Sequence, residues 1–592
     1  MNIEIKIKNC LKEALESIYQ LDLSNQSITL EPTKKEFEGT YTFVVFPFVK
    51  LTKQSPDGLA QTLGNSLVKN VEEIISFQVV KGFLNLSLSN RYFLTSLETF
   101  RHTENFGIST NEKVMVEFSS PNTNKPLHLG HLRNNFLGDS ICRILEAYGY
   151  SVVRANLIND RGIHICKSMI AYERWGNNET PESSGLKGDH LVGKYYVWFD
   201  KEYKKEIDQL TQNGLSEEEA KKEAPIFKAA QQMLVRWEAN DPETVQLWKK
   251  MNTWVYQGFN STYKKIGVHF DHFYYESNTY LLGKDIVEEG LQTNTFYKKE
   301  DQSVWIDLTR EGLDHKLLLR GDGTSVYITQ DLGTAELKFK DFACSKSVYV
   351  VGNEQDYHFQ VLQAILKKLN KSYADGVYHM SYGMVDLPSG KMKSREGTVV
   401  DADDLVQEMI DTAKARTLEL GKVEDLSEEQ ASILFHQLGL GALKYYLLRV
   451  DPKKRMLFNP EESIDFQGNT GPFIQYTYAR IASIIRKANT MGVDLNDSIS
   501  ITYSLQVEER QVIEELLKYP SKLAEAAGAY APSSIAAYVY DVAKSYNRFY
   551  AECPVFQENK ESQLFRLQLS AIVAKTIQRS MLLLGIEVPN KM

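Results

Sequence analysis

A chain of 592 residues is too long for one hydrophobic core, so roughly two to four domains are expected. Its composition is that of an ordinary globular protein, and a formal charge of −9 excludes a uniformly basic nucleic-acid coat while leaving room for a local basic groove. Five scattered cysteines without a C-x-x-C, a polar start where a signal peptide needs an apolar core, and no apolar run of bilayer length argue against a disulfide framework, zinc, export and a membrane span; a cytoplasmic protein is expected.

Residues 1–111 read as a separate α+β module. Ile3, Ile5, Ile7, Leu11, Leu15 and Ile18 supply the apolar positions of a helix expected over Asn2–Leu23. Strand-like runs follow at Ser27–Leu30, Tyr41–Phe46 and Phe77–Val80, and Phe83–Leu88 alternates cleanly. Helices are expected at Gly58–Val71 and Asn90–Arg101.

The next stretch carries chemistry. Val114–Phe118 alternates as a strand, and Leu132, Phe136, Ile141, Ile144 and Leu145 recur at helical spacing up to a stop at Gly149. Between them stands His128-Leu129-Gly130-His131. A strand turning into a helix is where open α/β sheets bind phosphate, with backbone N–H groups and the helix dipole facing an anion. Gly130 is expected to let a flat ligand approach the backbone, and two imidazoles three residues apart share a helical face. By itself His-x-x-His is weak: it also describes two surface histidines, or the start of a metal site with no third ligand nearby.

The surrounding run is more specific. Glu117-Phe-Ser-Ser-Pro-Asn122, followed by Pro126-Leu-His-Leu-Gly-His-Leu-Arg133, resembles the signature of class I aminoacyl-tRNA synthetases. The Ser-Pro-Asn and Gly-His-Leu-Arg elements resemble arginyl-tRNA synthetases in particular. The resemblance implies that residues 1–111 are an additional tRNA-binding domain. It also implies that 112–458 form a doubly wound, Rossmann-type catalytic domain. Val152–Ile158 is its second strand, and the turn Asn159-Asp160-Arg161-Gly162 carries Arg161 where the family usually has Trp. A charged helical insertion around 176–265 reads as a solvated face without a catalytic role.

Further along, strands are expected at Ser303–Asp307 and His315–Arg320. Ser325–Gly333 should pass into a helix over Thr334–Asp341, and a strand at Ser347–Val351 should lead into a helix ending near Leu369. The resemblance implies an arginine pocket of Glu117, Ser119, Asn122, Tyr327, Asp331 and Gln355. It implies ATP contacts from Pro126, Gly130, His131, His358, Phe359, Gly383, Met384, Val385 and Met392. His379–Val385 reads as a strand whose Gly383 admits the adenine ring. His128 and His131 are the implied catalytic pair. Lys391-Met392-Lys393-Ser394-Arg395 resembles the family's mobile Lys-Met-Ser-Lys loop, but Lys393 and Ser394 stand at the Ser and Lys positions. Serine cannot supply the missing charge. Lys393, Arg395 or Lys125 could, and Lys125 is favoured because a short anchored turn holds an ammonium in place.

Residues 459–592 read as an all-helical bundle, with helices at Gln475–Met491, Gln506–Ala527, Ser533–Glu552 and Glu561–Leu584. The resemblance makes it the anticodon-binding domain. Tyr476, Arg480, Tyr546, Arg548 and Phe549 are its candidate tRNA contacts, since aromatics stack unpaired bases and arginines hold phosphates. The expected activity is ligation of L-arginine to tRNA(Arg) through arginyl-adenylate, by a cytoplasmic monomer with no protein-bound metal, Mg²⁺ arriving with ATP. A small adenylyltransferase would share the histidine motif but not the helical bundle. A synthetase-derived RNA-binding protein would keep the bundle but lose the motif residues.

Overall fold

The computed structural model describes residues 3–24, 27–34, 36–386, 400–421 and 426–592. The first apolar repeat forms α1 (Ile3–Tyr19), burying Ile3, Ile7, Leu11 and Leu15 on one face. There follow β1 (Leu30–Pro32), β2 (Tyr41–Val44), α2 (Phe46–Thr52), α3 (Pro56–Asn70), β3 (Ile74–Val80), β4 (Phe83–Leu88) and α4 (Asn90–His102). The strands make one antiparallel sheet in the order β1-β2-β4-β3. The strand expected to reach Phe46 stops at Val44 because Pro47, lacking an N–H, starts α2 instead.

A second series begins with β5 (Lys113–Glu117), α5 (Leu129–Tyr148), β6 (Ser151–Ile158) and α6 (Ile163–Trp175). Five inserted helices come next: α7 (Pro181–Ser184), α8 (Gly188–Gln212), α9 (Glu217–Glu223), α10 (Pro225–Glu238) and α11 (Pro242–Ile266). The chain returns through β7 (His272–Tyr275), α12 (Glu276–Thr279), α13 (Lys284–Gln292) and a small antiparallel sheet of β8 (Tyr297–Lys298), β9 (Val304–Ile306) and β10 (Lys316–Leu319). Then come α14 (Tyr327–Phe342), β11 (Lys346–Gly352), α15 (Asp356–Lys368) and β12 (Val377–Tyr382). The central sheet is parallel throughout, in the order β12-β11-β5-β6-β7. The chain builds outward from β5 in one direction and then restarts on its other side at β11. Ligands bind at such a switch, beyond the carboxyl ends of the two strands. Val114, Met115 and Val116 are all buried, as a strand covered on both faces requires.

The remainder is β13 (Val385–Asp386), α16 (Ala402–Glu419), α17 (Glu428–Leu448), β14 (Met456–Leu457) and a set of helices. These are α18 (Pro460–Ser463), α19 (Gly471–Thr490), α20 (Val507–Leu517), α21 (Tyr519–Ala529), α22 (Pro532–Glu552) and α23 (Lys560–Leu583). The helix expected over Gln506–Ala527 is two helices, because Pro520 cannot donate inside one. By contacts the chain divides into two compact units: residues 1–104, 484–518 and 544–573, and residues 105–483, 519–543 and 574–592. Among the described residues no helix is long and apolar enough to cross a membrane.

Two further expectations are corrected. Helix α14 begins at Tyr327 and not at Thr334, so Tyr327 and Asp331 stand on the helix itself and not on the stretch leading into it. The strand expected over His379–Val385 breaks after Tyr382, and Val385 pairs with Met456 of β14. Gly383 lies at the break, where a Cβ would come within 2.6 Å of Arg455 N. Its missing side chain makes room for the chain at 454–455.

Candidate active site

The loop leaving β5 turns through Ser119 and Ser120, both at positive φ (76° and 44°). Such backbone costs on the order of 1–3 kcal/mol per residue and needs support. Two buried asparagines give it: Asn134 of α5 accepts from Ser119 N, and Asn156 of β6 accepts from Ser120 N at 3.1 Å. Asn134 also donates to Val350 O of β11 at 2.7 Å, tying the turn to the strand across the switch. The Ser119 hydroxyl is 2.7 Å from Tyr263 OH of α11. Ser119, expected among the arginine contacts, is therefore buried and engaged with an inserted helix.

The histidine motif forms the first turn of α5. His128 is the N-cap, in extended conformation (φ −138°, ψ 175°), and its Nδ1 accepts from Gly130 N at 3.1 Å. His131 Nδ1 accepts from His128 N at 3.1 Å. The pair thus makes a capping box, with imidazole nitrogens in place of the usual hydroxyl and carboxyl. With both Nδ1 atoms accepting, each neutral ring carries its proton on Nε2. The rings lie 3.9 Å apart between centroids. Burial, then the charge of Lys125, push His128 down to about 3, with Asp401 opposing. Burial and the neighbours His128 and Lys125 push His131 well below its ordinary value. The result is two neutral Nε2–H donors at a helix N-terminus, the arrangement that stabilises charge developing on a phosphate. Gly130 makes room for the His128 ring: a Cβ there would lie 2.9 Å from Cε1. This is a second reason for glycine here, beside the expected approach of a flat ligand.

His128 lines a cavity of about 750 Å³ together with Lys125, Pro126 and residues of α8, among them His190, Lys194 and Trp198. The insertion therefore contributes a wall beside the motif, against the expectation of a purely solvated face. Lys194, Trp198, Lys201 and Lys205 recur at i, i+4, i+7 and i+11, a spacing that could have shown this face in advance. Arg161 stands in the turn after β6 and faces the same insertion. It bonds Glu238 of α10 at 2.7 Å and lies 3.9 Å from the Tyr280 ring centroid, so it packs inserted helices against the turn after β6.

The arginine-pocket candidates separate. Glu117, at the end of β5, is buried and paired with the ammonium of Lys338 from α14, itself only 2 % exposed. Lys338 also sits 4.6 Å from the Tyr349 ring centroid. Burial pulls this ammonium down, but Glu117, Tyr349 and Asp331 outweigh it and hold it above its usual value. Asp331 lies two helical turns before Lys338 and meets His358 Nε2 at 2.6 Å. His358, expected on the adenine, is thus bonded to a carboxylate expected on arginine. Phe359 stacks on His379 with centroids 4.3 Å apart, so one of its faces is taken. Tyr327 is 79 % exposed, and Asn122 and Gln355 are exposed on their loops. Lys338 was not foreseen, because a lysine on an amphipathic helix reads as surface.

Gly383, Met384 and Val385 are fixed from α5. Fully buried Arg133 donates to Met384 O, to Pro452 O at 3.1 Å and to Lys454 O at 2.9 Å. Val385 is buried and pairs with Met456. Lys391, Met392, Lys393 and Arg395 lie outside the described residues.

Of the tRNA candidates, Arg480 lies 4.9 Å from the ring of Tyr476, both half-buried on α19. Arg548 is exposed and paired with Glu508 and Glu552. Tyr546 and Phe549 are fully buried, 5.5 Å apart between ring centroids, with Tyr546 OH 3.0 Å from Ser570 Oγ. They pack helices and cannot stack a base, which corrects the expectation. Tyr546→Phe should cost about 0.5–1.5 kcal/mol in urea unfolding, the value of one hydrogen bond, with the KM for tRNA unchanged. A raised tRNA KM at an unaltered unfolding midpoint would return Tyr546 to the RNA surface.

A parallel sheet with a histidine pair at its switch point is a nucleotide-binding arrangement, and the sequence matches place the domain among class I tRNA synthetases. Residues 98–459 match the family described as tRNA synthetases class I (R), catalytic domain. Residues 5–88 match the arginyl tRNA synthetase N terminal domain, and 474–592 the DALR anticodon binding domain. A protein named arginine–tRNA ligase from Amoebophilus asiaticus is 56% identical over 596 residues, covering all of both chains, and one from Bacteroides thetaiotaomicron is 53% identical over 597, again with full coverage. The fold matches the solved Thermus thermophilus arginyl-tRNA synthetase with a TM-score of 0.80, 23% identity and 99% coverage of each chain. It matches the Plasmodium falciparum enzyme with a TM-score of 0.77, 21% identity, and 100% and 99% coverage. The chain belongs to the arginyl-tRNA synthetase family.

Proposed function

We infer that the protein joins L-arginine to tRNA(Arg) in two steps. The arginine carboxylate attacks the α-phosphate of ATP, giving arginyl-adenylate and pyrophosphate. A ribose hydroxyl at the tRNA 3′ end then attacks the acyl carbon and releases AMP. The carrying observation is the histidine capping box at the switch point, backed by full-length identity to proteins named arginine–tRNA ligase. The two Nε2–H donors, at the positive end of the α5 dipole, meet negative charge as it grows on the phosphate. Lys125 adds a positive charge three residues before His128. Mg²⁺ enters with ATP and is held chiefly by phosphate oxygens and water. The protein acts as a cytosolic monomer, which sedimentation at working concentration checks.

The test is ATP–pyrophosphate exchange across the twenty amino acids, with and without total tRNA, followed by charging of tRNA with labelled arginine. Exchange with another amino acid, or none with any, would overturn the reading. Within it, Lys125→Ala should lose about 10²-fold in adenylation kcat, the scale of one transition-state donor. Near-normal exchange would move the role to Lys393 or Arg395.

A further inference from the structure

The inserted helices hold more than a cavity wall. Residues 400–402 run beside the histidine motif: Leu129 N donates to Val400 O at 3.2 Å, and Ala402 N donates to Leu127 O at 3.0 Å. These two bonds flank His128 and keep it extended, as its ring needs in order to reach Gly130 N. Asp401 caps α16 by accepting from Asp403 N at 2.8 Å and Asp404 N at 3.2 Å. The same carboxylates face the insertion. His190 Nε2 of α8 lies 3.0 Å from Asp401 Oδ2 and 3.7 Å from Asp403 Oδ2. Lys187, at the N-cap of α8, pairs with Asp403 and, at 3.1 Å, with fully buried Asp189. From α11, Thr262 Oγ1 donates to Asp403 at 3.1 Å and accepts from Lys187 at 2.7 Å. Helix α8 is itself seated on α11 through Asp189: a Cβ on Gly258 would lie 2.3 Å from its Oδ1.

We propose that His190 and Lys187 are positioning residues for adenylation, holding Asp401 and Asp403 so that the 400–402 backbone fixes His128 in its capping conformation. Three features support this beyond packing. The ion pairs join two segments about two hundred residues apart at the edge of the cavity His128 lines. The cluster sets two basic groups, Lys187 and His190, among three carboxylates, Asp189, Asp401 and Asp403. The Asp401 carboxylate beside it holds the His190 ring above its ordinary value, with burial opposing, which favours the charged form. Small displacements of a transition-state donor are costly, since about 1 Å can cost 10²-fold.

The proposal rests on the adenylation chemistry above, so its test includes a readout that needs no substrate. His190→Ala and Asp401→Asn are made in the full chain; the asparagine still caps α16 but loses the charge. Each should lower kcat for arginine-dependent exchange by about tenfold with KM for ATP moved less than about threefold, and the double variant should be no slower than either single. His190→Gln, which keeps an N–H donor, should recover much of the loss. With ¹⁵N-histidine labelling, the His128 ring should show the Nε2–H tautomer in the wild type and lose it in His190→Ala. Unchanged kcat, losses that multiply in the double variant, or an undisturbed His128 signal would overturn the proposal. A His128 change without any exchange in the wild type would instead uphold the positioning and sink the substrate reading.

Discussion

Replacing His128 or His131 by alanine is expected to lower adenylation kcat by about 10²–10³-fold, with arginine KM nearly unchanged. The reason lies in how each ring divides its nitrogens. Nδ1 is spent on a backbone N–H, and Nε2–H remains as a donor that strengthens only when charge builds on the phosphate. His128→Ala also removes a helix cap, so the variant should lose about 0.5–2 kcal/mol of stability, and rates should be compared well below its melting temperature. The same geometry fixes the pH behaviour. Burial and Lys125 hold His128 at about 3, and His131 is held well below its ordinary value, so both rings stay neutral as pH rises through their usual range. The rate should therefore show no limb from these rings between about pH 5.5 and 8. A wild-type limb near pH 6.5 that disappears in His128→Ala would contradict the assigned tautomers.

The second large effect concerns Glu117 and Lys338. Breaking a buried ion pair leaves one charge without a counter-ion, at a cost of about 3–5 kcal/mol. Lys338→Met and Glu117→Gln should each be destabilised on that scale, and the double variant should regain most of the loss because no orphan charge remains. Arginine affinity separates two roles for Glu117. If it also meets the substrate guanidinium, KM for arginine should stay raised in the stable double variant, by an amount equal to about 2–4 kcal/mol. A normal KM there would mean that Glu117 serves Lys338 alone, leaving Asp331 as the arginine carboxylate. Asp331→Asn tests that remaining contact, because Asp331 has its own partner in His358 and is not bound to Lys338.

The parts legible in the sequence are those with a short-range physical signature. The strand expected over Val114–Phe118, the repeat from Leu132 to Leu145 and the stop at Gly149 appear as β5, α5 and its left-handed C-cap (φ 116°), although β5 is buried on both faces instead of alternating. What failed depended on partners far along the chain. Tyr327, Ile328 and Thr329 favour strands, yet they open α14 and bury Ile328 and Thr329. Tyr546 and Phe549 share the aromatic character of a base-stacking surface, but burial set by residues such as Ser570 decides their role. Lys338 and His190 carry no local mark at all. Each acquires its meaning from a carboxylate brought to it by the fold, Glu117 across the sheet and Asp401 across the insertion.

Among the described residues Arg133 bonds three carbonyl oxygens and no carboxylate, and burial brings it down to about 10, so it remains a cation at neutral pH. A fixed positive centre in the second turn of α5 therefore stands behind the helix end that faces phosphate, with Lys125 in front. For a polyphosphate drifting toward a molecule of overall charge −9, these two cations are expected to offset the general repulsion near the motif. Its capture should quicken as ionic strength falls, whereas repulsion by the whole molecule would make low salt slow it.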